Sequence, residues 1–186
     1  MTINDKAEEI ARSYDGLSGD PSHPRFDEYL AVIAPGETRE RAVEMSKMSG
    51  CALVAAAVWR ACGIDHPLLN APYKDMTAVS RLYEIARQTG AIVQPEEGMA
   101  PLAGSVVLLT GPEHVYVVLC DRNSPRIALD GGQKDGKGFQ CVQIKEHFIT
   151  AGSEKSRVAP DGPFGRTRKE VCWFDLGAIE AFCIYR

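Results

Sequence analysis

Residues 51 to 62 read CALVAAAVWRAC, with a glycine on either side at positions 50 and 63. Only Arg60 among them is charged. A helix that is apolar around its whole circumference is stable only when protein surrounds it, so this segment dictates a fold built about one central helix. Its unbroken apolar stretch, CALVAAAVW, is nine residues long, less than half of the roughly 20 needed to cross a bilayer. No membrane span is expected, and Gly63 marks where the helix stops.

The surroundings of that helix divide into two kinds. Upstream, Ala7, Ile10, Ala11 and Tyr14 recur at helical spacing between the capping candidates Asn4 and Asp5 and the stop at Gly16. DGLSGDPSHPRF has no period and reads as a loop; APGE is a second loop, leading into a helix around Thr38 to Met48. Downstream, Asp75 is a candidate cap for a helix with Val79, Leu82, Tyr83 and Ala86 on one face and Gly90 at its end. After Gly90 the pattern turns to strands. SVVLL, HVYVVLC and RIAL are short runs rich in Val, Ile and Leu, separated by the turn-type segments TGPE and DRNSP. QCVQI, VCWFDL and the terminal AIEAFCIYR continue the β-rich character, with AGSEKSRVAPDGPFGRTRKE as an exposed loop between them. Helices over about 1–90 and strands over about 101–186 predict an α+β fold, N-terminal helices packed on a C-terminal antiparallel sheet, in a single domain spanning residues 1–186.

Cys51 opens the central helix. A helix N-terminus, with its free N–H groups and positive dipole end, stabilises a thiolate, the reactive form of a thiol. Gly50 beside it leaves room for a substrate, and the N–H of Cys51 can donate to an oxyanion. The bland alternative is a small buried core residue. A thiolate needs an imidazole to accept and return its proton, and the chain has four histidines. His114 alone opens a strand. His23 sits in a Pro-rich loop, His66 follows the core helix and His147 stands among charged residues, so each of these reads most simply as a solvated side chain, with His66 and His147 kept as minor alternatives to His114. The imidazole must in turn be oriented by a carboxylate or amide. Asp130, at the end of RIALD on the next strand, is the candidate, with Gln133 and Asp121 as weaker substitutes; the competing reading of Asp130-Gly131-Gly132 is a hairpin turn.

A cysteine opening a buried helix, then a histidine at the start of a strand, then a polar residue ending the following strand resembles the NlpC-like and CHAP-like branch of papain-fold cysteine peptidases and amidases. The resemblance spans about Ser46 to Gln133 and is carried by SGCALVAAAVWRACGI, LAGSVVLLTGPEHVYVVL and RIALDGG. The chain departs from the family's usual Asp-Cys-Ser with Gly50-Cys51-Ala52, and from its usual Gly-Asp with Gly104-Ser105. What the resemblance implies is hydrolysis of an amide or isopeptide bond, most often in the stem peptides of bacterial peptidoglycan, by a Cys51–His114–Asp130 centre. A second oxyanion donor is expected from the segment before the helix, where Ser46 and Ser49 stand.

Other outcomes stay open at this level. The same three residues serve a deamidase or transglutaminase acting on a protein, and the same scaffold serves a binding module that makes no use of Cys51. Cys51, Cys120, His114 and Asp121 can be drawn around zinc, but no CxxC or HxxxH spacing accompanies them, so neither a metal nor another cofactor is expected. Net charge is −4, which supplies no positive field for nucleic acid. The six cysteines are scattered through apolar surroundings and read as free thiols. Trp173, Phe174, Phe182 and Tyr185 read as core, and the basic residues between Lys155 and Lys169 as a solvated face. No Sec-type signal opens the sequence, so synthesis in the cytoplasm is expected. A peptidoglycan substrate then implies a specialised, non-Sec export route, as for a bacterial effector toxin or a lysis enzyme, and an immunity or inhibitor protein as partner.

Overall fold

The computed structural model describes residues 1–47, 50–70, 78–96, 99–109, 114–120, 126–150, 153–155, 167–168 and 170–184. Helices come first: α1 (Ile3–Ser13), α2 (Phe26–Ile33), α3 (Arg39–Ser46), α4 (Cys51–Cys62), α5 (Pro67–Asn70) and α6 (Ala78–Gln88). Strands follow: β1 (Ile92–Val93), β2 (Val106–Leu109), β3 (His114–Val118), β4 (Arg126–Lys134), β5 (Gln140–Thr150), β6 (Ser153–Lys155), β7 (Thr167–Arg168) and β8 (Glu170–Phe174), and a last helix, α7 (Leu176–Ile184), ends the described chain. The architecture is α+β.

The central helix is where its composition requires. Every residue of α4 from Cys51 to Trp59 is buried, and it touches α1, α2, α6, β3 and β4. Gly63 terminates it with φ 96°, a left-handed conformation open to glycine at no steric cost. Thr2 caps α1, with Asp5 reaching back to the Thr2 N–H in a capping box; Asp5 is therefore the third residue of the helix and not its cap. Asp75 lies outside the described residues.

Antiparallel pairing gives the strand order β1-β8-β2-β3-β4-β5, extended beyond β5 by β6 and β7. One residue separates β7 from β8 in the sequence, yet six strand spacings separate them in that order. Laid flat, those spacings would amount to roughly 29 Å, whereas two Cα–Cα steps reach no more than about 7.6 Å. The sheet must curl on itself. Its outer face carries Val106, Val115, Val117, Leu129, Val142 and Phe174 into the main core beneath the helices. Its inner face carries a second cluster of Val107, Leu109, Tyr116, Val118, Ala128 and Trp173. Residues 16–19 run along β5 through Gly16, Leu17 and Gly19, whose backbones bond to Val142 and Gln140, and so cover part of its edge.

Three expectations need correction. The described part of AIEAFCIYR, Ala178–Ile184, is not a strand: Asp175 accepts from the N–H of Ala178 and starts α7, so a run of apolar residues too short to show its period formed a helix. AGSEKSRVAPDGPFGRTRKE, expected as an exposed loop, holds β6, β7 and the first residue of β8. Asp130-Gly131-Gly132 is not a hairpin turn; it lies within β4 at an irregularity between Asp130 and Gln133, and the turn comes later, where Asp135 and Phe139 close on each other.

Candidate active site

Cys51 is the first residue of α4, and Gly50 before it offers no capping side chain. The N-terminal turn of the helix lies against β4 because β4 has no side chain there. A Cβ on Gly131 would stand 2.8 Å from Val54 Cγ2 and 2.9 Å from the Gly50 carbonyl oxygen, inside any tolerable contact. Gly132, at φ 75°, takes the left-handed turn of the bulge. The Gly-Gly pair thus brings the helix that carries Cys51 and the strand that carries Asp130 into contact.

Register brings the other two groups together. Val117 faces Leu129 and Val118 faces Ala128, so residues 114, 116 and 118 of β3 share the inner face with 126, 128 and 130 of β4. His114 and Asp130 are diagonal neighbours on that face, within reach of long side chains. His114 Nε2 lies 3.2 Å from Asp130 Oδ1, which leaves Nδ1 for the thiol. The His114 side chain is 13% exposed and that of Asp130 only 2%. Burial lowers the imidazole pKa, but hydrogen bonds from His114 to Asp130 and to Cys51 outweigh it and raise the pKa to about 9. Burial acts on Asp130 in the opposite sense, and the two histidines bonded to it, His114 and His147, hold its carboxyl well below the usual carboxylate range. The structure therefore unites Cys51, His114 and Asp130.

The sulfur is more recessed than an open cleft would make it. Cys51 is 5% exposed, and the imidazole is the more accessible of the two. The remaining thiols are in different surroundings: burial pushes Cys62 up to about 11 and raises Cys141 and Cys172 as well. Among the described residues the six cysteines form no disulfide.

His147 was expected in solvent and is not there. It is buried, with Nε2 3.0 Å from the second carboxylate oxygen of Asp130, in a bent ion-pair contact. Its ring stacks on Tyr116, centroids 4.5 Å apart. His66 is buried too and accepts from the N–H of Leu68, while His23 is partly exposed and accepts from that of Arg25.

Sequence reading also missed Tyr29. It comes from α2, is fully buried, and its hydroxyl has no hydrogen-bond partner among the described residues. A Cβ on Gly50 would stand 3.3 Å from that hydroxyl, so the phenol lies beside the residue preceding the thiol. Burial raises its pKa, with Cys141 adding to the effect, and the O–H stays a donor. Ser46, by contrast, gives its hydroxyl to the Val43 carbonyl, and Ser49 lies outside the described residues. Gln133 accepts from Lys145 Nζ, away from the imidazole, and Asp121 is outside the described residues.

Trp173 and Phe174 are buried, Phe174 edge-on to Trp59, and Phe182 is half-buried; Tyr185 lies outside the described residues, as does most of the segment from Lys155 to Lys169. An open depression lined by Asp27, Leu30, Ala34 and Arg39 separates α2 from α3 and contains none of these groups. Among the described residues no three His, Cys, Asp or Glu side chains are arranged to hold a metal ion, and no helix is long and apolar enough to cross a membrane. No protein-family model matches the chain, and none of the curated proteins or solved structures compared with it does so.

Proposed function

We propose that the chain is a papain-like cysteine hydrolase whose Cys51–His114–Asp130 centre cleaves an amide or isopeptide bond, with peptidoglycan stem peptides as the substrate class. One observation carries the proposal: a single imidazole stands between a fully buried carboxylate and a thiol at the start of a buried helix, bonded to both. An imidazolium beside a thiol is the condition under which sulfur attacks as thiolate.

The chemistry then follows from the residues in place. The Cys51 sulfur bonds to the carbonyl carbon, and the carbonyl electrons move onto oxygen. The Cys51 N–H serves as an oxyanion donor. Collapse breaks the C–N bond, and the leaving amine takes the His114 proton. Water, losing a proton to the now neutral His114, attacks the thioester; the acid departs and the thiolate–imidazolium pair is restored. Asp130 keeps the ring in one orientation throughout.

The test has two stages. A limiting thiol reagent at neutral pH, followed by peptide mapping, is expected to label Cys51 first, and His114→Ala is expected to slow that labelling. Equal, slow labelling of all six thiols would sink the proposal. Purified muropeptides and glutamine-containing proteins, incubated separately with the enzyme, then divide wall hydrolysis from deamidation or transglutamination. A Cys51→Ala protein that retained every function would make the chain a binding module.

A further inference from the structure

Asp130 is held at both ends. One oxygen meets His114 and the other meets His147, an arrangement in which the second histidine has no part in the chemistry proposed above. We propose that His147 is a positioning residue of the centre, fixing the Asp130 carboxylate so that one of its oxygens stays aimed at His114. This rests on the Cys51–His114–Asp130 reading.

A carboxylate bonded through one oxygen can still rotate about its last torsion, which is broad and soft. A second contact at the other oxygen removes that freedom. Only a donor can serve there, since an ionised carboxylate accepts and never donates. An imidazole carries the required Nε2–H in both its protonated form and one neutral tautomer, so the contact survives a change of charge on His147.

His147 is itself clamped. Its ring lies flat on Tyr116, 16° from parallel. The Tyr116 hydroxyl donates to Glu170 at 3.0 Å and accepts from Arg126 at 3.1 Å, and Arg126 and Glu170 pair directly. Arg126 also faces His147 across the β4–β5 ladder. Among the described residues, Asp130 and Arg126 from β4, Tyr116 from β3 and, through Tyr116, Glu170 from β8 face the ring, while Lys145, two residues back on its own strand, bonds to Gln133. Orientation of this kind matters because displacing a reacting group by about an ångström costs on the order of 10²-fold in rate.

The experiment needs no natural substrate. With ¹⁵N-labelled histidine, the wild-type Nε2–H of His114 should give a sheltered downfield proton resonance. His147→Phe keeps the stack on Tyr116 but removes the donor; the resonance should broaden or move upfield, and Cys51 alkylation should slow by roughly 10-fold or more. His147→Gln, which restores an N–H donor, should recover most of both. Unchanged resonance and unchanged alkylation in folded His147→Phe overturn the proposal. Should that variant not fold, the wild type decides: S-methylation of Cys51 must shift the ring nitrogens of His147 as well as those of His114, and a silent His147 overturns it. A wild-type Cys51 that is unreactive from the outset would instead sink the parent reading, while the resonance still reports on His147.

Discussion

Two buried carboxylates lie on the inner face of the sheet, and each sits between two nitrogen or hydroxyl donors. Asp130 has His114 and His147; Glu170 has Arg126 and Tyr116. The Glu170 group is sealed: Arg126 and Tyr116 are fully buried and the Glu170 side chain nearly so. The Asp130 group opens at one end, where His114 is partly exposed and touches the sulfur at the start of α4. The same pattern of charge therefore does different things according to what lies beyond it. The carboxylate closed in by an arginine holds strands together and steadies Tyr116 against His147, whereas the one that meets an imidazole passes its influence to a third group outside the sheet.

Removing a member of each group should separate these two roles. Cys51→Ala is expected to abolish amide hydrolysis, by roughly 10⁴-fold or more in kcat/KM, while urea melts stay close to wild type. Arg126→Met should act first on stability. It leaves the buried Glu170 charge with only the Tyr116 hydroxyl as partner, at a cost of about 3–5 kcal/mol of stability, and activity in the molecules that remain folded should fall far less than in Cys51→Ala. Adding Glu170→Gln to Arg126→Met should return part of the lost stability, because the stranded charge is gone.

The two regions also differ in how far the sequence announces them. Cys51, His114 and Asp130 each stand at a readable landmark: a glycine-flanked helix start, a strand entry after a turn, a strand end before Gly-Gly. Their placement follows from local pattern plus antiparallel pairing of consecutive strands. His147 has no such landmark. Pairing sets Gln143, not His147, opposite Asp130, and the side-chain contact is made along the inner face rather than across a ladder pair. Its neighbours Lys145 and Glu146 suggest solvent, but they speak for their own side chains alone. Tyr29 was hidden for a similar reason: α2 carries no capping signal, and the approach of its phenol to Gly50 is a packing fact between segments that no periodicity encodes. The error at α7 is of another kind. Leu176–Ile184 is apolar on most sides, so neither a period of 3.6 nor one of 2 stands out in it.

Glycines offer a finer test of what the open end requires. Gly131→Ala forces a methyl group against Val54 and the Gly50 carbonyl, and Gly104→Ala forces one to within 2.6 Å of Ala7 and Leu176. Both overpack, and each should cost about 1–3 kcal/mol or somewhat more. Only Gly131→Ala moves the Cys51 helix relative to Asp130, so only it should also slow Cys51 alkylation in the folded protein. Equal slowing in both variants would mean that the alignment of α4 on β4 has no special bearing on the thiol.

The smallest expected effect concerns protons. His114 is raised from 6.5 to about 9 in the folded chain, so its contribution to stability is complete below pH 6.5 and is lost as the pH rises through about 9. Asp130 is depressed; its contribution is present above its ordinary value of 3.8 and is lost only on acidification, outside that window. The buried thiols at Cys62, Cys141 and Cys172 are raised above 9 and begin to act only on the alkaline side of it. Between pH 6.5 and 9 the thiolate proposed at Cys51 takes up a proton on unfolding while His114 gives one up, so the slope of unfolding free energy reports the pair and not His114 alone. S-methylation of Cys51 removes one of the two bonds that hold its proton, so the pKa should fall by on the order of one unit, equivalent to about 1.4 kcal/mol. Imidazole titration by NMR measures the shift directly, and because S-methylation takes the thiol out of the proton balance, urea melts of the methylated protein across the window should show a slope set by His114 alone. If methylation leaves the titration at about 9, Asp130 alone holds the proton, and the open group differs from the sealed one in exposure but not in its coupling to sulfur.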